Sequence, residues 1–338
     1  MSRPRLSVLL PYRNAACTLP ACLDSVLSQS VEDFELLSID DGSTDESAHL
    51  TRHVAATDSR VRPIANPGRG IVAALNAGLH DARGDIVVRM DADDLMRAGR
   101  LEAHLDHFSE DPRLVLSATR VSGFPSHHIK AGFREYLRWQ NSVLSPDDVA
   151  DEIYVEAPFA HPSVAFHRNT VAASGGYRDG LFPEDYELWL RLFHEGHRMA
   201  KLPRVLLDWR DTPTRLSRTD PRYSRNAFDR LRAGFLARDT RIRGSRRQLL
   251  FWGAGRRTRR RVDHLLRLGY SPDAWIDIDP RKIGNRILGV PVLPPDALDC
   301  RKRPFVLVYV TNHGARGLIE HDLARMGYER GTDFLMVG

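Results

Sequence analysis

Residues 84–94 read Gly-Asp-Ile-Val-Val-Arg-Met-Asp-Ala-Asp-Asp, a short apolar run that ends in three carboxylates. An apolar run of this length is typical of a strand that is buried on both faces of a sheet. Asp91 and Asp93 follow the run and stand two residues apart, so both can face one ligand where the chain turns. We expect them to bind Mg²⁺ or Mn²⁺, which prefer carboxylate and phosphate oxygens. The plain alternative is that they cap the next helix and stay solvated.

Strand and helix patterns alternate around this stretch. Leu6–Leu10 and Phe34–Ile39 are further apolar runs, and Gly70–His80 has helical spacing. Alternation of this kind predicts an α/β fold with a mostly parallel, doubly wound sheet. Residues 130–213 show a less regular pattern.

Ligands of doubly wound sheets bind at the carboxyl ends of the strands. Polar groups stand at three predicted strand ends, namely Pro11-Tyr12-Arg13-Asn14, Asp40-Asp41 and Asp91–Asp94. These three ends therefore predict one candidate site.

Two later motifs add candidates to this site. Glu184-Asp185 opens a predicted helix whose apolar spacing would bury one face and fix the position of Asp185. The plain interpretation of this pair is an acidic first helical turn. His161 precedes a predicted strand, Ser163–Phe166, and a single histidine is more often a core or loop residue than a ligand.

In order and spacing, these pieces resemble glycosyltransferase family 2, whose members are inverting enzymes with the GT-A nucleotide-diphospho-sugar transferase fold. The resemblance covers about residues 5–215 and rests on Leu6–Asn14, Leu27–Ser30, Phe34–Asp45, Leu75–Gly78, Gly84–Leu101, His161–Ser163 and Pro183–Arg191.

The resemblance implies a role for individual residues. Asp185 matches the catalytic base of the family, with Glu184 beside it. Asp91, Ala92 and Asp93 match the motif that holds ribose and the metal-bridged diphosphate, with Asp93 as the direct metal ligand. The residues implied to bind the nucleotide sugar are Pro11, Tyr12, Arg13, Asp40, Asp41, Arg69, Asn76, Asp91, Ala92, His161 and Arg210.

One position departs from the family pattern. Leu75 stands where many members have an arginine before the asparagine, so the contact of that arginine to the donor is either missing here or supplied by Arg69. The implied donor is a nucleotide-diphosphate sugar, UDP-sugar first, and the implied cofactor is Mg²⁺ or Mn²⁺. The implied acceptor is a glycan or a lipid-linked hydroxyl in polysaccharide, lipopolysaccharide or other glycoconjugate synthesis.

A second α/β pattern begins near the C-terminal third of the chain. We predict a transferase domain over 1–215, an arginine-rich helical linker over 216–247 and a smaller Rossmann-like domain over 248–338. Gly253 and Gly255 precede a predicted helix, and backbone N–H groups at a helix N-terminus attract anions. Asp277 and Asp279 follow Gly255 by 22 and 24 residues, close to the spacing of a ribose-binding acid.

The segment Trp275–Gly284 looks like the Rossmann-type domains of bacterial sugar-modifying acyltransferases and dehydratases. Thr258 replaces the third glycine of the dinucleotide fingerprint, which weakens the case for NAD. A nucleotide-binding, regulatory or assembly role is the resulting expectation for this domain.

Composition excludes several classes of protein. The chain has 338 residues, 42% hydrophobic and 28% charged, which indicates a globular protein of about two domains. Cys17, Cys22 and Cys300 form neither a disulfide framework nor a CxxC pair. The net charge of +5 comes with an excess of arginine, which is compatible with an anionic ligand, a membrane surface or nucleic acid. The plain alternative is a coding bias with a solvated surface. We find no nucleic-acid-binding motif, and we expect a cytoplasmic protein with peripheral contact at the inner face of the membrane.

Three other functions compete with glycosyl transfer. A sugar nucleotidyltransferase would carry a glycine- and arginine-rich loop after the first strand, where this chain has Pro11–Asn14. An NAD(P)-linked sugar-nucleotide oxidoreductase would use the C-terminal domain. A catalytically inactive sugar-nucleotide-binding or scaffold protein is disfavoured because the acidic set is intact, comprising Asp41, Asp91, Asp93 and Asp185.

Overall fold

The computed structural model describes residues 3–299, 301–311 and 314–338, and these divide into two compact units. The first unit comprises the residues up to Val149 together with Ala157–Gly180 and Glu184–Thr219. The second comprises Ala150–Glu156, Leu181–Pro183 and the residues from Asp220 onward. Most of the predicted linker thus groups with the second unit, and the boundaries at 215 and 247 stay predictions.

The first unit contains eight strands and most of the helices. The strands are β1 (Leu6–Tyr12), β2 (Phe34–Asp40), β3 (Val61–Ala65), β4 (Ile86–Arg89), β5 (Leu95–Met96), β6 (Leu114–Phe124), β7 (Val164–His167) and β8 (Arg198–Arg210). The helices up to residue 219 are α1 (Leu19–Leu27), α2 (Ser47–Thr57), α3 (Ile71–Asp81), α4 (Arg100–Glu110), α5 (Ala131–Ser142), α6 (Pro146–Glu152), α7 (Arg168–Ala173), α8 (Glu184–His194) and α9 (Leu216–Thr219).

The eight strands form one sheet in the order β3-β2-β1-β4-β7-β6-β8-β5. Strands β1 to β4 run parallel to one another, as do β6 and β8, whereas β7 and β5 run antiparallel to their neighbours. Tyr12 pairs with Asp40, and Leu9 pairs with Arg89. The carboxyl ends of β1, β2 and β4 therefore meet at one edge, which confirms the predicted mostly parallel sheet.

Close packing sets the spacing of these strands. All seven residues of β1 are buried, and α1 packs Leu19, Cys22 and Val26 into the same core. A Cβ atom on Gly84 would lie 2.6 Å from the carbonyl carbon of Leu6, so only glycine lets the chain enter β4 this close to β1. The start of β4, and with it the acidic turn that follows, is fixed by this contact.

The segment 130–213 is more regular than its sequence pattern suggests. It contains helices α5 to α8, strand β7 and the whole 13-residue strand β8. Lys201, Pro203 and Asp208 interrupt the apolar pattern of β8, which is why the pattern does not indicate a strand. Lys201 is nevertheless buried, because its Nζ donates to the backbone carbonyls of Gln140 and Pro158.

The second unit is a smaller α/β structure. Its strands are β9 (Leu249–Trp252), β10 (Ala274–Ile276), β11 (Arg286–Ile287), β12 (Val290–Leu293), β13 (Phe305–Val308) and β14 (Phe334–Met336), and its helices are α10 (Arg225–Leu236), α11 (Arg256–Arg267) and α12 (Ala315–Arg325). Five parallel strands have the order β12-β10-β9-β13-β14, and β11 adds an antiparallel edge. In chain order this is 3-2-1-4-5, the strand order of the Rossmann fold.

No helix among the described residues is long and apolar enough to cross a membrane. Cys17 is exposed and Cys22 is buried, and both are free thiols. Cys300 lies outside the described residues.

Lys201 generates a test of the first unit's core. Burial, followed by the charge of Arg120, lowers the pKa of Lys201 from 10.5 to about 7. Between these two values the unfolded chain binds more protons than the folded protein, so unfolding free energy rises with pH. We compare the unfolding free energy of the wild type with that of Lys201→Met, which lacks the amine. The wild-type value minus the variant value should increase between about pH 7 and 9, by on the order of 1 kcal/mol per pH unit. Urea titrations across this range measure the difference, and a pH-independent difference would contradict the prediction.

Candidate functional site

Three aspartates crowd the turn that follows β4. Asp91, Asp93 and Asp94 each offer a carboxylate oxygen, and the three oxygens lie within 4.8 Å of one another. Asp91 and Asp93 are half-buried, whereas Asp94 is 1% exposed. The backbone N–H of Asp94 donates to the carbonyl of Asp91 at 3.2 Å, which closes the turn. The turn thus presents three carboxylates to one small volume.

This arrangement is electrostatically unfavourable without a cation. Burial, followed by the charge of Asp91, raises the pKa of Asp93 to about 6. Burial and then both neighbouring carboxylates raise the pKa of Asp94 well above its usual range. Asp94 Oδ1 accepts from the backbone N–H of Arg210 at 2.7 Å, but its buried Oδ2 has no hydrogen-bond partner among the described residues. An orphaned oxygen in an all-carboxylate set fits a hard divalent cation.

Two arginines stand beside this acidic turn. Arg210 donates from Nε to the carbonyl of Asp93 at 2.6 Å, and its guanidinium lies 4.4 Å from the centre of the Phe124 ring. The guanidinium of Arg215 lies 4.3 Å from the centre of the Trp209 ring. Both arginines oppose the rise in the Asp93 pKa. Aromatic faces thus hold both cations close enough to the acidic turn for their charges to act on Asp93.

The ends of β1 and β2 form the next part of this edge. The N–H of Asp41 donates to the carbonyl of Tyr12 at 2.9 Å. Asp41 Oδ1 accepts from Asn66 Nδ2 at 2.8 Å and from the N–H of Gly70 at 2.7 Å. The carboxylate of Asp41 therefore fastens the loop that carries Arg69 to the end of β2.

The remaining predicted donor-binding residues are in different environments. Tyr12 is buried, with its hydroxyl 2.8 Å from Thr51 Oγ1, and Asp40 Oδ1 accepts from the N–H of Ser43 at 3.0 Å. Buried Pro11, exposed Arg13 and exposed Arg69 lie on or beside the same strand ends, and Ala92 lies within the acidic turn.

Asn76 uses both atoms of its amide on one neighbour. Its Oδ1 accepts from the N–H of Tyr177 at 2.9 Å, and its Nδ2 donates to the Tyr177 carbonyl at 2.8 Å. Asn76 thus holds the turn at Tyr177, and its predicted contact with the donor stays a prediction.

The acidic pair begins helix α8. Glu184 is 2% exposed, and Asp185 is half-buried and accepts from the N–H of Tyr186 at 2.7 Å. Leu188 and Trp189 are fully buried, as the helical spacing predicts. The packed face of α8 therefore fixes the backbone that carries Asp185.

His161 belongs to a buried cluster next to this pair. Its Nε2 lies 3.0 Å from the hydroxyl of Tyr177, and its Nδ1 lies 3.8 Å from Glu184 Oε1. Burial, followed by the charge of Arg89, holds the pKa of His161 well below its usual range, so the ring is neutral at neutral pH. His161 thus contacts the residue next to Asp185 rather than the acidic turn.

Tyr177 connects the two acidic regions. Burial raises the pKa of its hydroxyl, Arg89 opposes the rise, and the charges of Glu184, Asp185 and Asp91 add to it. The Tyr177 hydroxyl is therefore within electrostatic reach of both the acidic pair and the acidic turn. Motif reasoning did not single out Tyr177 or Arg89; the available signal was an arginine inside an otherwise apolar strand.

The second unit brings its own predicted residues together. Gly253 has φ = 115°, and the N–H of Ala254 donates to Asp277 Oδ2 at 2.8 Å. Lys282 Nζ lies 3.1 Å from Asp277 and 3.5 Å from Asp279, a partner that the sequence motif did not predict. The carboxylate of Asp277 thus joins the glycine loop to Lys282. Nucleotide binding at Gly253, Gly255, Asp277 and Asp279 stays a prediction.

Comparisons with known proteins bear on the first unit. The model of "Glycosyl transferase family 2" matches residues 7–172. The amylovoran biosynthesis glycosyltransferase AmsE of Erwinia amylovora is 33% identical over 191 residues, which are 56% of this chain and 69% of that protein. An Escherichia coli protein named UDP-Gal:alpha-D-GlcNAc-diphosphoundecaprenol beta-1,3-galactosyltransferase is 28% identical over 214 residues, 61% of this chain and 74% of that protein.

Solved structures have the same fold. TarS 1-349 of S. aureus in complex with UDP-GlcNAc aligns with a TM-score of 0.57 at 15% identity, covering 70% of this chain and 67% of that one. The mannosyltransferase PcManGT of Pyrobaculum calidifontis, in complex with GDP-Man and Mn²⁺, aligns with a TM-score of 0.50 at 22% identity, covering 70% and 63%. These alignments confirm the expected fold.

The raised pKa of Asp93 predicts that replacing this residue changes the Tm in opposite ways without and with Mn²⁺. Because the folded pKa exceeds that of the unfolded chain, unfolding free energy falls as pH rises from about 4 to about 6, and the charge is destabilising above that range. We expect Asp93→Asn to raise the Tm of the metal-free protein at about pH 7.5 and to abolish the further rise that Mn²⁺ produces in the wild type.

Asp111→Asn is the matched control. A hydrogen bond from Arg198 lowers the pKa of Asp111, so this variant should lower the Tm and keep the response to Mn²⁺. Differential scanning fluorimetry measures both effects. A response to Mn²⁺ that survives in Asp93→Asn would rule out Asp93 as a ligand.

Proposed function

Because the chain belongs to glycosyltransferase family 2, we propose that it transfers a sugar with inversion from a nucleotide-diphosphate sugar to an acceptor hydroxyl, with a divalent cation as cofactor. UDP-sugar is the favoured donor. The observation that carries the proposal is the clustering of Asp91, Asp93 and Asp94 beside Arg210 and Arg215. Negative side chains for a cation and positive ones for phosphate are what a metal-bridged diphosphate requires.

The donor would bind along the edge formed by β1, β2 and β4. Tyr12 and Asp41 lie side by side at the first two strand ends and would take the nucleotide base, with Pro11, Arg13 and Asp40 around them. Asp91 and Asp93 would hold Mg²⁺ or Mn²⁺, which when bound supplies positive charge for the leaving diphosphate. Arg210 and Arg215 add fixed positive charge on the same side.

Asp185 is the proposed general base. The acceptor hydroxyl attacks the anomeric carbon from the face opposite the leaving diphosphate and gives its proton to the carboxylate as the new bond forms. A carboxylate in the first turn of a helix is stabilised in its ionised form by the helix dipole, as a base must be. One displacement inverts the configuration, so an α-linked donor gives a β-linked product.

The relatives suggest the acceptor class. One is named for amylovoran biosynthesis, and another is named for a reaction with a diphosphoundecaprenol-linked sugar. We propose a glycan or lipid-linked acceptor in polysaccharide or other glycoconjugate synthesis for this chain as well.

A variant at Asp185 tests the base directly. We expect Asp185→Asn to lower kcat by about 10²–10⁴-fold, because the amide cannot accept the proton. Calorimetry should still detect binding of UDP in the presence of Mn²⁺, since the acidic turn is unchanged. Asp24→Asn, on the exposed side of α1, serves as the control and should keep wild-type turnover. Near-normal turnover by Asp185→Asn would exclude it as the base.

Four arginines of helix α11 in the second unit provide a test of the expected contact with a membrane surface. Arg256, Arg257, Arg259 and Arg260 are exposed at the start of α11 and form no ion pair with another described residue. An arginine near an anionic lipid surface contributes about 1 kcal/mol of binding. We expect sedimentation with phosphatidylglycerol vesicles, reversed by salt and absent with phosphatidylcholine. Replacing all four arginines by glutamine should abolish it, and unchanged sedimentation would exclude this surface.

A further inference from the structure

Arg89 is a buried cation that the proposed chemistry leaves without a role. It is the last residue of β4, pairs with Leu9 of β1, and is 1% exposed. Removing a guanidinium from water is strongly unfavourable unless charged or polar groups surround it. The neighbours of Arg89 therefore indicate why a cation stands here.

One neighbour is the acidic turn. Arg89 Nη2 donates to Asp91 Oδ1 at 2.6 Å, and Nη1 donates to the carbonyl of Met90. The Arg89 side chain is 2% exposed and that of Asp91 is 32% exposed, so the pair joins the interior to the site surface. A charge-assisted hydrogen bond of this length fixes one carboxylate oxygen of Asp91 and orients the other.

The other neighbours belong to the buried cluster under the acidic pair. Burial lowers the pKa of Arg89, but the charges of Asp91, Tyr177 and Glu184 more than offset this. Tyr177 and Glu184 both lie near His161, which is neutral at neutral pH: its Nε2 is 3.0 Å from the Tyr177 hydroxyl and its Nδ1 is 3.8 Å from Glu184 Oε1. The positive charge of Arg89 thus acts on carboxylates from two separate elements, the turn after β4 and helix α8.

We infer that Arg89 is a positioning residue that orients the carboxylate of Asp91, the proposed metal ligand, through their hydrogen bond. Its positive charge also stabilises the carboxylate of Glu184, the neighbour of the proposed base Asp185. The inference rests on the proposed function. Arg89 acts through its neighbours, because its own atoms are buried behind Asp91.

Lysine is the informative substitution. It keeps the charge of Arg89 but not the planar fork that contacts Asp91 Oδ1 and the Met90 carbonyl together. A displacement of about 1 Å can lower a rate by about 10²-fold, so we expect Arg89→Lys to lower kcat about tenfold or more. The KM for the donor should rise by a smaller factor than kcat falls, since Asp93 and the proposed nucleotide-base contacts of Tyr12 and Asp41 remain. Arg89→Met should lower kcat further, because the charge is lost as well.

A double-mutant cycle with Glu184→Gln distinguishes positioning from general damage to the fold. If Arg89 acts through Glu184, replacing Glu184 lowers kcat less in a protein that already lacks Arg89. We expect Glu184→Gln to lower kcat by about tenfold in the wild type but by less than about threefold in the Arg89→Met background. Lys201→Met controls for the loss of a long buried polar side chain far from the site in sequence, and it should leave kcat unchanged.

Each outcome decides the inference. Multiplicative effects of the two substitutions on kcat, or normal turnover by Arg89→Lys, overturn it. If the wild type binds UDP with Mn²⁺ and depends on Asp185 while Arg89→Lys is normal, the proposed function stands and this inference fails. If the wild type shows neither binding nor transfer, both fail. If Arg89→Met does not fold, Arg89→Lys and its cycle with Glu184→Gln carry the test.

Discussion

Mutual repulsion among Asp91, Asp93 and Asp94 is the constraint around which the first unit is organised. Three carboxylates within 4.8 Å in a partly buried turn are unstable unless positive charge or N–H groups surround them. Arg89 contacts Asp91 from the interior, Arg210 donates to the carbonyl of Asp93, and the charges of Arg210 and Arg215 both act on Asp93. The pKa shifts of Asp93 and Asp94 indicate that this compensation is incomplete without a bound cation. The remaining repulsion makes the binding of a cation at this turn more favourable.

The fold maintains this arrangement through backbone contacts. Gly84 lets β4 lie against β1, which brings the acidic turn beside the ends of β1 and β2. Asp94 accepts from the backbone of Arg210 at the end of β8, so the turn is joined to a strand more than a hundred residues later. The site thus depends on both halves of the eight-stranded sheet, and a shift of either half would separate the carboxylates from the arginines.

The residue pattern predicted those parts of the site whose residues are adjacent in the chain. The acidic turn, the strand ends and the first turn of α8 follow from apolar runs and residue types that stand next to one another. Tyr177 was missed because its partner, His161, lies in a different segment of the chain. Arg89 and Lys282 were missed although their carboxylate partners are near in sequence, because a residue pattern does not show which way a charged side chain turns. Strand β8 was missed for a related reason, since Lys201 is accommodated by carbonyls from two other segments. Patterns of hydropathy do not contain such long-range compensation.

Stacking of Arg210 on Phe124 and of Arg215 on Trp209 has a thermodynamic consequence. Arginine side chains ordinarily lose much rotational freedom when they bind a ligand. Here the rings have already restricted the two guanidinium groups before any ligand arrives, so less entropy is lost on binding. Affinity for a doubly charged group at this position would then be governed by enthalpy and by desolvation. Phe124 and Trp209 thus contribute to the proposed phosphate site by ordering the two arginines in advance.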